Sequence, residues 1–317
     1  MLHNIPGDKG GTWRWDKLVE LYKIEEYIQD DPSPSRVLAL WAEQNMLSEA
    51  DKTWLSYLYG LTYSTTTSIL IFRQFPKLGW IDLDELEEFW NENKQRLYFN
   101  RDRRYIKNND QFVKAIAGLY DLEHSNKQMY RNLKSLTDEQ IYRRIVKNWP
   151  YFGRHAAFLF FDAYSKMLRD GECSLSSISN WNEARTIAEG LALATYDDKM
   201  YQRLRDKKKL LTEDVLKLNT AVKMLEHACG ANFTDIESTI CAYSKLFKGT
   251  RYLGYYIDRF QEELEQALQN GYPKEDIKML YDLRGWVTPP KYLGERYGWS
   301  GIRKERCKLW LEEGRLL

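Results

Sequence analysis

Leu136-Thr137-Asp138-Glu139-Gln140-Ile141, followed by Trp149-Pro150-Tyr151-Phe152-Gly153-Arg154-His155-Ala156-Ala157-Phe158, decides the fold class. Thr137 sits where a helix N-cap belongs, and Gln140 follows it at the third helical position, the spacing of a capping box. Leu136 and Ile141 are spaced as a hydrophobic staple across that start. Ile141, Ile145 and Trp149 then recur on one helical face. Pro150 stops the helix, because it has no N–H and clashes with the preceding turn. Gly153 supplies the freedom for a tight turn, and a second helix is predicted from Ala156 to Leu168. Two helices joined in this way can aim backbone N–H groups at an anion. The same residues also suit an ordinary helix-loop-helix.

Helical patterns extend in both directions. They are expected over 15–29, 35–45, 48–57, 82–90 and 109–120, with a link from there to the hairpin pair. Asp30-Asp31-Pro32-Ser33-Pro34 breaks the first from the second. Thr62 to Arg73 is hydroxyl-rich at its start and apolar at its end, and reads as a helix with a polar beginning. After Gly171, a serine-rich loop leads to a helix from Trp181. Lys207-Lys208-Lys209 begins a charged connector. Thr212 to Ala228 follows with Val215, Leu218, Val222 and Leu225 inward and Gly230 as its stop. Helices at 233–247 and 252–268 come next, and the tail ends in a basic helix. The fold class is all-α. A lobe at 48–170, ending in the hairpin, and a second lobe of 1–47 with 171–317 make up one helical domain.

Composition narrows the function classes. The chain has 317 residues and a formal net charge of +1, so the total charge does not argue for a polyanionic partner. Its distribution is uneven: Lys94 to Lys107 holds six cations and one anion, and the tail from Lys291 holds seven cations and four anions. Such fields suit a phosphate backbone, and they also suit solvated helix faces. The mean hydropathy is −0.62, and no apolar run approaches the ~18 residues of a membrane span. The N-terminus lacks the apolar core of a signal peptide, which leads to the expectation of a cytoplasmic protein without membrane contact. Cys173, Cys229, Cys241 and Cys307 have no metal-binding spacing, and neither do the four histidines. No metal site is expected.

Three further segments carry chemistry-bearing residues. In Gly254-Tyr255-Tyr256-Ile257-Asp258-Arg259, continued to Glu262, the side chains of Tyr255, Asp258, Arg259 and Glu262 share a helical face. They suit an amine or a phosphate, with Asp258 as a general base, or a surface ion-pair ladder. Pro289-Pro290-Lys291-Tyr292-Leu293-Gly294-Glu295-Arg296-Tyr297 is a rigid basic stretch suited to phosphates, or a packed tail. Tyr63-Ser64-Thr65-Thr66, with Arg73 beyond, suits a polar pocket, or hydroxyls bonding their own helix.

The hairpin resembles the helix-hairpin-helix signature of DNA glycosylases, Leu-Pro-Gly-x-Gly-Arg-x-Thr-Ala. Tyr151 replaces the first Gly and Ala156 the Thr. His155 stands where such enzymes carry a catalytic Lys, and Asn180 stands near the place of their catalytic Asp. Taken in order, Tyr63-Ser64 with Phe75-Pro76, Tyr151 to Arg154, Gly254 to Arg259 and Pro289 to Tyr297 resemble the alpha-glutamyl/putrescinyl thymine pyrophosphorylase family, the amino acid:DNA transferases of bacteriophages. The resemblance spans roughly residues 13–310.

The resemblance implies a two-lobed all-α fold related to helix-hairpin-helix glycosylases. It implies double-stranded DNA carrying phosphorylated 5-hydroxymethyluracil, from which an amino acid or polyamine displaces phosphate or pyrophosphate. No cofactor is implied, because the activated group is on the DNA. A DNA kinase of the same pathway is an implied partner, and the cytoplasm of an infected bacterium the implied location. Gly153 and Arg154 would grip the backbone, with His155 beside the base or leaving group and Asn180 in the same region. Asp258 would take the amine proton or orient the amine, with Tyr255 and Glu262 beside it. Arg259, Lys291 and Arg296 would stabilise the leaving phosphate, and Tyr63, Ser64, Thr66 and Arg73 would line the pocket. A helix-hairpin-helix glycosylase and a non-catalytic DNA-binding module are the competing readings.

Overall fold

The computed structural model describes residues 5, 7–31, 33–171, 173–175, 181, 184–247, 250–293 and 310–312. Every regular element among them is helical. The first ten α-helices are α1 (Trp13–Ile28), α2 (Ser33–Gln44), α3 (Glu49–Thr62), α4 (Thr65–Gln74), α5 (Leu83–Asn93), α6 (Arg104–Asn108), α7 (Phe112–Glu123), α8 (Asn126–Leu133), α9 (Asp138–Asn148) and α10 (Arg154–Leu168). The remainder are α11 (Arg185–Ala194), α12 (Asp198–Arg205), α13 (Thr212–Cys229), α14 (Phe233–Leu246), α15 (Tyr255–Gln269) and α16 (Lys274–Val287).

Local chemistry sets many of the ends. Ser48, Ser64, Asp82, Ser125 and Asn232 each accept a backbone N–H in the first turn of the helix that follows. The Thr137–Gln140 capping box at α9 is reciprocal, with both side chains bonded. The sequence expectation has no α6, α8 or α16, and its single helix from Trp181 is two, α11 and α12. The link after α7 contains α8, whose buried face is held by Met129 and Leu133. The segment at 274–287 forms α16, with Ile277, Leu280, Tyr281 and Leu283 buried along it.

The chain divides into two compact units. One comprises 1–31, 174–258 and 288–317. In it α11 and α1 pack on α14, and Tyr243 on α14 donates its hydroxyl to the Arg14 carbonyl at 2.6 Å. Arg14 lies over the Tyr196 ring and pairs with Asp8 at 2.8 Å. Asp214, fully buried on α13, accepts both nitrogens of the Arg203 fork. It also bonds the Leu211 N–H, so a buried carboxylate here fixes both a helix start and its neighbour.

The other unit comprises 32–173 and 259–287. Its centre is α3, whose Trp54, Leu55, Tyr57, Leu58, Tyr59 and Leu61 are all buried. A helix apolar on nearly every side has to be surrounded, and α10, α8 and α4 pack on it. The closest approach is at Gly60, where a Cβ would come within 2.9 Å of the Phe152 ring and 3.1 Å of the Ala156 carbonyl oxygen. Tyr57 stacks on Phe152 with ring centroids 4.7 Å apart, and Trp149 meets both rings edge-on. The polar tips of these aromatics are satisfied. Tyr57 donates to the Ala115 carbonyl and Trp149 Nε1 to buried Glu123, which also receives Arg144. The loop between α9 and α10 is therefore seated in the core by its own aromatic side chains.

Candidate functional site

Trp149 caps the end of α9, and α10 begins at Arg154, two residues before the sequence expectation. The turn is made differently from the way the sequence suggests. Tyr151 takes the left-handed conformation, with φ of 61°, where the related signature has glycine. That conformation costs a non-glycine residue about 1–2 kcal/mol. Gly153 has φ of −82°, which any residue adopts. A Cβ added to it would meet nothing within 4 Å. Glycine at 153 thus serves neither backbone freedom nor internal packing. It leaves the exposed N-terminus of α10 open to close approach.

Beneath this turn lies Arg103, only 2% exposed. Its guanidinium donates to the Leu61 carbonyl at 3.1 Å, to the Tyr151 carbonyl at 3.4 Å and to the Tyr105 hydroxyl. It also lies over the rings of Tyr105 and Phe152. Burial lowers its pKa from the ordinary arginine value, without removing the charge. The basic run at 94–107 and the hairpin, read separately in the sequence, are thereby joined. Arg101, Arg104 and Tyr105 are exposed on the run, and Tyr151, Gly153 and His155 on the hairpin. His155 Nε2 lies 4.0 Å from Asp102 and its ring meets Tyr63 edge-on. Arg154 lies over Phe158.

Tyr63 closes α3 in a left-handed conformation and leads into α4. Ser64 and Thr66 are buried, and they turn inward to Glu263 on α15. Glu263 Oε1 accepts from Ser64 Oγ at 2.9 Å, Thr66 N at 2.7 Å and Thr66 Oγ1 at 2.9 Å. Burial pushes the Glu263 pKa up to about 7, against these hydrogen bonds and the nearby Thr65 N–H, which favour the charged form. The positive end of α4 adds to that support. Thr67 continues the network to the Tyr98 carbonyl and the Tyr272 hydroxyl. Tyr98 is itself raised above the ordinary tyrosine pKa by burial and by the charge of Glu263. Arg259, on the same helix, pairs with Glu262 at 2.5 Å. Arg73 is elsewhere in this unit, forked onto Asp276 and over the Trp41 ring.

The remaining expected residues belong to the other unit. Asp258 accepts the Tyr252 hydroxyl at 2.7 Å, and Arg251 lies 3.8 Å from the Tyr255 ring centroid. The start of α15 is held by Asp30, fully buried, which accepts from the N–H groups of Gly254, Tyr256 and Ile257 at 2.9–3.0 Å. Burial pushes the Asp30 pKa up to about 7. Glu25, also buried, accepts from Thr239 Oγ1 at 2.6 Å and is raised by burial and by Asp30. Lys291 stands on a 3-10 turn at Pro290–Tyr292; Asn180 and Arg296 lie outside the described residues.

Sequence reasoning missed Glu25, Asp30, Arg103 and Glu263. A usable signal existed for two of them. Glu263 falls in the apolar stripe Ile257, Phe260, Leu264, Ala267, and Glu25 in the stripe Leu18, Leu21, Tyr22, Ile28. A carboxylate within such a stripe is buried with the stripe and has to find donors. No group of three or more candidate ligands for a metal ion occurs among the described residues, and no helix among them is long and apolar enough to cross a membrane.

Compared with known proteins, neither the curated proteins nor the solved structures give a match. A family model does match. It covers residues 34–252, which include the hairpin, the basic run and the Tyr63 turn, and it stops before the Gly254 and Pro289 segments. That model describes amino acid:DNA transferases, and over this span the chain belongs to the amino acid:DNA transferase family, as a transferase acting on DNA.

Proposed function

We propose that this transferase hypermodifies thymine-derived bases. An amine from an amino acid or polyamine displaces phosphate or pyrophosphate from phosphorylated 5-hydroxymethyluracil in DNA, on a scaffold related to helix-hairpin-helix glycosylases. The observation that carries the reading is the hairpin at 149–154. Its non-glycine left-handed residue, its open Gly153 and the exposed arginines beside it together form a surface for a phosphate backbone. Such a surface positions DNA without reading its sequence, as an enzyme addressing one base type throughout a genome requires. The target base has to leave the stack to be reached, and His155, exposed and beside Tyr63, is the side chain we assign to it or to its leaving group. The glycosylase reading is disfavoured by His155 standing where base excision uses Lys.

Gly153→Ala tests the grip. The added methyl meets no atom of the protein, so thermal stability should stay within about 1 kcal/mol, the scale of an N-cap change. A methyl between the helix N-terminus and a phosphate should weaken DNA binding about tenfold, which is ~1.4 kcal/mol. Unchanged affinity, measured by fluorescence anisotropy at fixed salt, would remove the hairpin from the interface. The reaction itself is tested with DNA carrying phosphomethyl-deoxyuridine and candidate amines, read by nucleoside mass spectrometry. A heavier nucleoside with phosphate release is expected. An abasic site would support a glycosylase instead, and tight binding without change a non-catalytic module.

A further inference from the structure

The end of α3 brings three side chains together. The Asn100 N–H donates to the Thr62 carbonyl at 3.3 Å, and Arg103 Nε donates to the Leu61 carbonyl at 3.1 Å. The residues between them are therefore tied on both sides to the last turn of α3. Asp102 stands there, on the 3-10 turn Arg101–Arg103. From α10, which packs on α3, His155 presents Nε2 4.0 Å from the Asp102 carboxylate. Tyr63 meets the imidazole edge-on, with ring centroids 6.2 Å apart. Both members of the pair are about half exposed, next to exposed Arg101, Arg104 and Gly153.

Each member is out of place by itself. Asp102 is the one anion among the six cations of 94–107, and on a surface that receives a phosphate backbone a carboxylate repels the ligand. His155 follows Arg154 and faces the run that carries Arg101, Arg103 and Arg104. Like charges disfavour an imidazolium, and an opposite charge within ~4–6 Å favours it. The other titratable groups around the pair are tyrosines: Tyr59 and Tyr63 at the end of α3, and Tyr105 and Tyr151 about the Arg103 guanidinium. We propose that Asp102 is a positioning residue for the transfer, holding His155 as an imidazolium that faces the phosphate of the substrate base. This rests on the reaction proposed above and on the assignment of His155 to its leaving group. Asp102 then offsets its own repulsion of DNA by sustaining a cation where the reaction uses one.

The cation meets a demand of the chemistry. The neutral amine forms the N–C bond with the 5-methylene carbon. The C–O bond breaks, and its electron pair leaves on the phosphate oxygen. The proton shed by the new ammonium goes to that phosphate, so the step balances without an oxidant, reductant or cofactor. His155 keeps its own proton throughout. Its charge stabilises the negative charge that grows on the leaving oxygen, and a fixed cation does this without reorganising. The pair is fixed because Asp102 is tied to α3 and His155 belongs to a helix packed on α3.

The test compares wild type with Asp102→Asn, Asp102→Glu and His155→Gln on DNA carrying phosphomethyl-deoxyuridine. Rates are taken relative to wild type at each pH, which cancels the titration of the amine and of the phosphate. Asp102→Asn should match wild type at about pH 6 and lag about three- to fivefold at about pH 8, which is ~0.7–1 kcal/mol, the upper range of an exposed pair. Its DNA affinity should hold or rise, because a like charge is gone. Asp102→Glu keeps the charge and should recover at least half of the deficit. His155→Gln should lag at least ~10-fold at about pH 6. In the free protein, NMR should show the His155 ring, assigned by its loss in His155→Gln, becoming neutral about half a pH unit lower in Asp102→Asn. A structural role on the 3-10 turn would give a deficit without pH dependence. A flat ratio across pH, or a His155 titration that Asp102→Asn leaves in place, overturns the proposal. Wild type that binds this DNA and transfers no amine overturns the proposed reaction instead, and the His155 titration, read without DNA, still tests the pair.

Discussion

Replacing Arg103 with Met asks whether the hairpin is held from below. The guanidinium bonds the Leu61 and Tyr151 carbonyls and the Tyr105 hydroxyl. Leu61 belongs to the last turn of α3, whose carbonyls lack helical partners. Met keeps the apolar stem and removes the donors. Losing charged hydrogen bonds to buried acceptors costs about 1.5–3 kcal/mol each, and the contact with the negative end of α3 adds ~0.3–1 kcal/mol. Relief of a buried charge offsets part of this. The Tyr151 bond, at 3.4 Å, is also long. We expect a net loss of about 2–3 kcal/mol, or roughly 5–10 °C in the melting of the unit built from 32–173 and 259–287. Calorimetry should show the shift, and hydrogen exchange should speed up selectively at 149–156. Arg103→Lys should recover less than half, because an ammonium lacks the planar fork. A melting shift below about 1 °C with unchanged exchange at the hairpin would refute the reasoning.

Two other outcomes follow from packing and linkage. Gly118→Ala would place a Cβ 2.5 Å from Pro150 Cγ; overpacking costs about 1–3 kcal/mol, partly offset by up to ~1 kcal/mol of helix propensity, so chemical denaturation should show a net loss and Gly153→Ala should not. Asp30, raised from 3.8 to about 7 by burial, holds its proton in the folded state over a range where the unfolded chain has released it. Stability should therefore fall as pH rises from about 4 to about 7, and Asp30→Asn should flatten that slope; an identical slope in the variant, read by urea unfolding across pH, would show that Asp30 does not carry it.

Much of the helical framework was legible in the residues. The capping box at Thr137, the caps at Ser48 and the stop at Gly230 are local devices, and the structure carries each one. Helices α16 and α8 were missed although each carries apolar residues at helical spacing, Ile277, Leu280 and Tyr281 in one and Met129 and Leu133 in the other. At the hairpin, the turn was legible but its conformation was not. Glycine was expected to carry the strained position, and Tyr151 carries it, because Trp149 and Phe152 are locked into the α3 core and fix the backbone between them.

The candidate site divides along the same line. The hydroxyl run at 63–68 was visible, and so was the alternative that it serves its own helix. Its partner was not visible, since Glu263 lies 199 residues from Ser64. Helix formation depends on neighbours within a turn or two, so the sequence alone determined that this protein is all-α, where most of its helices begin, and that a proline-interrupted pair forms a hairpin. Which carboxylate meets which helix start depends on how distant helices pack against one another, and no spacing along a single chain encodes that. Only the tertiary structure brought Glu263 to α4, Asp30 to α15 and Arg103 beneath Tyr151. In each case burial removed water as the competing partner, and the buried polar group had to be satisfied by whatever the packing placed beside it.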